Sequence, residues 1–100
     1  MGVWIWKTNS KKKTNYVGIL EFVSSHYRFA EFCCDTFSTG LCETDIERFH
    51  LPDEKEIDGL IVAEMKISRN QDINKRLLLL RACKEFGKRN AFDTEYSVSW

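Results

Sequence analysis

The stretch LPDEKEIDGLIVAEMKI, Leu51 to Ile67, decides how the whole chain is read, because a nearly unbroken apolar run follows a proline and a cluster of acids. Read by alternation, Ile61, Ala63, Met65 and Ile67 share one face, the period-two signature of a strand. Leu51-Pro52-Asp53-Glu54 is then a turn, and residues 57–67 are predicted to form a long strand after it.

Working back from that turn, residues 41–49 read as a shorter strand, with Cys42, Thr44 and Ile46 on one face and Glu43, Asp45 and Glu47 on the other. Further back, Phe29, Cys33 and Phe37 recur at i, i+4, i+8 with Ala30 and Cys34 beside them. This spacing predicts a helix from a Ser24 or Ser25 cap to about Phe37, although strand alternation fits residues 27–33 almost as well. Residues 3–7 and 16–23 read as the two strands of a hairpin whose polar connection contains Lys11, Lys12 and Lys13.

Forward of the turn, residues 72–86 have helical spacing, with Asn70 as the expected cap and Gly87 as the expected stop. Ile73, Leu79, Leu80, Cys83 and Phe86 fall on one side, and Arg81, Lys84, Glu85 and Lys88 on the other. Phe92, Thr94, Tyr96, Val98 and Trp100 then alternate with polar residues as a final strand. The predicted order is ββαββαβ: an α+β fold with a single, mainly antiparallel sheet and two helices packed on one face.

The chain has 100 residues, 43% hydrophobic and 30% charged, which suits one globular domain spanning residues 1–100. No apolar run reaches the roughly 20 residues needed to cross a bilayer. The lysines follow the first apolar residues instead of preceding them, which is not the order of a secretory signal. Trp6 occupies the position where a myristoylation signal needs Ser or Thr. The expected location is cytoplasmic. Cysteines 33, 34, 42 and 83 have no framework or zinc-knuckle spacing and are expected to be reduced core residues.

Charge is the strongest lead. The formal total is zero, yet residues 1–42 carry a net +2, residues 43–64 a net −6 and residues 65–100 a net +4. Carboxylates crowded in this way repel one another unless basic groups answer them, either from the last helix or from a partner. Glu43, Asp45, Glu47, Asp53, Glu54, Glu56 and Asp58 are therefore the candidate partner-binding residues.

Catalytic motifs are absent. His26 and His50 could serve as acid and base in a ribonuclease with Lys66 or a neighbouring arginine holding phosphate, but nothing in the sequence brings them together. His26, Cys33, Cys42 and His50 are metal-ligand types without the short spacing that preorganises a zinc site, and no Gly-rich phosphate loop occurs. No catalytic residue, metal or cofactor is expected.

Size, fold type and charge layout together suggest a small cytosolic inhibitor that neutralises another macromolecule, of the toxin-immunity, antitoxin or phage anti-defence kind. Its acidic surface would occlude a basic, nucleic-acid-handling protein such as a nuclease toxin. The alternative is an RNA-binding or RNA-cleaving domain using the Lys11–Lys13 loop, the histidines and the aromatics Trp4, Trp6, Tyr16 and Tyr27.

Overall fold

The computed structural model describes residues 3–8, 26–39, 46–67 and 75–99. Their elements run β1 (Trp4–Lys7), α1 (His26–Phe37), β2 (Ile46–Leu51), α2 (Glu54–Ile67), α3 (Lys75–Arg89) and β3 (Thr94–Ser99). The fold is α+β with an antiparallel sheet, as the sequence predicts. The described order, however, is βαβααβ and not ββαββαβ, and three helices accompany the sheet instead of two. The strand expected at 16–23 and the first half of the one expected at 41–49 lie outside the described residues.

The correction centres on residues 57–67, which are helix and not strand. Asp53 decides this: its side-chain Oδ1 accepts a hydrogen bond from the Glu56 amide at 2.8 Å, and its carbonyl accepts the Ile57 amide at 3.1 Å. That is an N-cap, with Pro52 just before it and Glu56 three residues on. Glu54 and Glu56 in the first turn and Lys66 in the last also suit the helix dipole. Ile57 is buried and Leu60, Ile61 and Glu64 are half-buried, a spacing of i, i+3, i+4, i+7, whereas Ala63, Met65 and Ile67 of the expected strand face are exposed.

In the sheet, β3 lies between β1 and β2, antiparallel to both. Ile5 opposes Val98, and Phe49 opposes Tyr96. Directly opposed residues share a face, so Ile5, Phe49, Leu51, Tyr96 and Val98 form the covered side, and all are buried. Trp4, Trp6, Ile46, Arg48, His50, Ser97 and Ser99 occupy the other side. Along the outer edge of β2, Ser38 forms an isolated antiparallel bridge with Phe49, and the Thr39 amide donates to the Arg48 carbonyl at 3.4 Å.

Over the covered face lie Phe29, Ala30, Cys33 and Cys34 of α1 and Ala82, Cys83 and Phe86 of α3, while α2 contributes Ile57. A run of rings ties these layers together: Phe29 to Phe86 at 5.3 Å, Phe86 edge-on to Tyr96 at 5.0 Å, and Tyr96 stacked on Phe49 at 5.4 Å. The Tyr96 hydroxyl donates to the Ala91 carbonyl at 2.6 Å, and burial pushes its pKa up to about 12.

Helix α3 also differs from expectation at its end. Gly87 does not stop it but sits inside the last turn, buried, with the Phe92 ring where a side chain would otherwise begin. Close approach of that ring, and not a left-handed cap, is what requires glycine there. Asn90 closes the helix instead, its amide and its side-chain nitrogen both donating to the Phe86 carbonyl at 3.0 Å. Among the described residues, no helix is long and apolar enough to cross a membrane.

Candidate functional site

The acidic stretch that drew attention in the sequence is divided by the fold. Glu43 and Asp45 lie outside the described residues. Asp53, Glu54 and Glu56 are exposed around the start of α2, where Asp53 acts as the cap and the two glutamates face the positive end of the helix dipole. Asp58 meets Lys84 of α3 at 2.7 Å, and this hydrogen bond raises the Lys84 pKa above the ordinary lysine range. Glu64, one turn and a half further along α2, meets Arg76 at 3.3 Å. Basic residues of α3 thus answer the acids on the α3 side of α2.

Glu47 is placed differently. It has the same strand parity as Phe49 and Leu51, so its side chain projects toward α1 and not away from the helices. There it lines a depression of about 380 Å³ together with Tyr27, Glu31, Cys34 and Asp35 of α1. These four helical residues follow i, i+4, i+7, i+8, so one stripe of α1 beside the core-facing stripe forms the wall. Cys34 is nearly buried, Glu47 is half-buried, and Tyr27, Glu31 and Asp35 are exposed.

Three carboxylates therefore surround this notch, and no basic residue is among the described residues of its lining. Among the described residues, Glu31, Asp35 and Glu47 form no ion pair, in contrast to Asp58 and Glu64. Glu31 and Asp35, four apart on one helix face, repel each other by a few tenths of a kcal/mol, roughly the reverse of a favourable i,i+4 pair. An ammonium or guanidinium group entering the notch would remove that repulsion. A metal ion is a poorer fit, because no three His, Cys, Asp or Glu side chains among the described residues are arranged to hold one.

The remaining sequence candidates are dispersed. His50 lies on the side of the sheet away from the described helices and meets Asp93 at 2.7 Å, with Asp93 in the left-handed region at φ 49°. His26 begins α1, and its side chain lies outside the described residues, as do Cys42, Tyr16 and Lys11 to Lys13. Cys33 faces Cys83 in the core at 3.8 Å, on the opposite side of the sheet from His50. Trp4 is 47% exposed and Trp6 half-buried, both on the side of the sheet away from the described helices.

Glu31 and Asp35 were not singled out from the sequence. The available signal was their i,i+4 spacing beside Tyr27 on the polar stripe of α1, but their convergence with Glu47 is a product of tertiary packing. Comparison with protein-family models, with curated proteins and with solved structures finds no match to this chain.

Proposed function

We propose that this chain is a small protein-binding inhibitor, of the immunity-protein, antitoxin or anti-defence type, that grips a basic protein partner through the notch between α1 and β2. The observation that supports this is the contrast in charge pairing: acids facing α3 are matched by Arg76 and Lys84, whereas Glu31, Asp35 and Glu47 converge on a concave surface without a described counter-ion. An arginine or lysine of the partner would enter the notch and take the place of the missing cation. Tyr27, exposed on the rim, adds aromatic surface beside the carboxylates for a partner to contact.

Asp53, Glu54 and Glu56 contribute to the same reading at longer range. As exposed negative charge they would attract a cationic partner and speed encounter, an effect that salt weakens. Inhibition then consists of occlusion: partner residues that would bind nucleic-acid phosphates are held by carboxylates. No covalent step, metal or cofactor is required of this chain, and a cytosolic location accords with the free thiols of Cys33, Cys34 and Cys83.

The test is capture from lysate of the producing cell on two columns, one carrying the wild type and one the Glu31→Gln/Asp35→Asn/Glu47→Gln variant, with retained proteins and nucleic acids both identified. A protein with a basic surface should be retained by the wild type and lost by the variant, whose melting midpoint stays within a few degrees of wild type because Glu31 and Asp35 are exposed, Glu47 is half-buried without a described ion pair, and each replacement keeps the side chain's size. Equal retention of that protein by both columns, or retention of RNA alone, would overturn the proposal.

A further inference from the structure

Two buried thiols join the helices that flank the core. Cys33 of α1 and Cys83 of α3 are each fully buried, and their sulfurs stand 3.8 Å apart. A disulfide needs about 2.0 Å, so the sulfurs must approach by roughly 1.8 Å for a bond to form. The same two helices are already held together nearby, by the Phe29 and Phe86 rings and by Arg76 over the Phe32 ring at 5.6 Å.

We propose that Cys33 and Cys83 form a redox latch: a dithiol in the resting protein that a hydroperoxide converts into a cross-link between α1 and α3. The chemistry balances in two steps. One sulfur attacks the peroxide, an S–O bond forms, the O–O bond breaks, and an alcohol or water leaves with the thiol proton. The second thiol then attacks the sulfenic sulfur, the S–S bond forms, the S–O bond breaks, and water carries off the remaining proton. The dithiol loses two electrons and the peroxide gains them.

The geometry explains why the pair is a switch and not a permanent staple. Closing that gap takes rotation of the two side chains and a small adjustment of α1 or α3 within a close-packed core, so the resting pair stays a dithiol until an oxidant drives the bond. Burial also raises the Cys33 pKa well above its ordinary value, which keeps the reactive thiolate scarce until the helices part locally. The latch therefore stays open under reducing conditions and closes during sustained oxidation. Since α1 also carries Glu31 and Asp35, closure would shift them relative to Glu47. That consequence rests on the proposed partner site, whereas the cross-link itself does not.

Wild-type protein is treated with hydrogen peroxide, its remaining thiols are blocked, and the linked peptides are mapped by mass spectrometry alongside a melting curve. A linkage between Cys33 and Cys83 is expected, with the midpoint raised by at least about 5 °C through loop closure and restored by dithiothreitol. Cys34→Ala and Cys42→Ala variants should retain the linkage. Failure to form it, its replacement by links through Cys34 or Cys42, or formation without a rise in midpoint would overturn the proposal. Partner capture with the reduced protein reads the notch separately, so the two proposals can fail independently.

Discussion

Gly59 offers a direct measurement of what residues 57–67 are. It lies at an exposed position of α2, and a methyl group added there would meet nothing within 4 Å. Gly59→Ala therefore changes backbone entropy and helix propensity without changing packing, and should stabilise the protein by about 1 kcal/mol. At roughly 2 cal/mol/K of unfolding entropy per residue, a 100-residue chain loses about 0.2 kcal/mol per degree near its midpoint, so that gain is a rise of about 5 °C. Gly59→Val should give only about 0.3 kcal/mol, or 1–2 °C, because a branched side chain loses rotamer freedom against the preceding helical turn. The order Ala above Val above Gly is the helical signature, whereas a strand would place Val above Ala. Thermal melts followed by circular dichroism at matched concentration read the order directly. If Gly59→Val melts above Gly59→Ala, the cap at Asp53 does not govern this segment and the helix is misassigned.

Two further substitutions test the packing around α3. Gly87→Ala should destabilise by about 1–3 kcal/mol despite its better helix propensity, because the Phe92 ring must leave its place. In a Phe92→Ala background that cost should vanish, a coupling that urea titration of the four proteins measures. Tyr96→Phe removes the hydrogen bond to Ala91 and should cost about 1 kcal/mol at neutral pH. The folded phenol titrates near 12 against an ordinary value of 10, so its contribution is complete below pH 10 and is lost between pH 10 and 12 as the unfolded chain ionises first. Wild-type stability should fall by about 2–3 kcal/mol across that window, and the Tyr96→Phe protein should show a visibly shallower decline.

Elements whose pattern is short-range were legible in the sequence. The alternation of Thr94, Tyr96 and Val98 gives β3, and the spacing of Phe29, Ala30, Cys33 and Cys34 gives the buried face of α1, with all four buried as that spacing requires. At residues 57–67 an apolar run fits either period, and the arbitrating signal lies upstream in Asp53 and Glu56. Gly87 has the composition of a helix stop, and only the arrival of Phe92 from beyond the helix reveals its other use. For the candidate site, the concentration of acid was plain. Its division into capped, paired and unpaired carboxylates depends on which residues α1 and α3 bring alongside, and no local spacing encodes that.

The short contact along β2 matters for what the sheet does not do. β2 lies at the margin of the three described strands, and a marginal strand presents unpaired amides and carbonyls, a template onto which a strand from another molecule can add. Here Ser38 and Thr39, the residues that follow α1, occupy the middle of that margin by bonding at Phe49 and Arg48. An incoming strand would find its register interrupted halfway along, with too little continuous template on either side to propagate. The chain's exit from a helix thus serves as a guard against edge-to-edge aggregation at β2, and lengthening or deleting that segment would show its effect first in solubility and only later in stability.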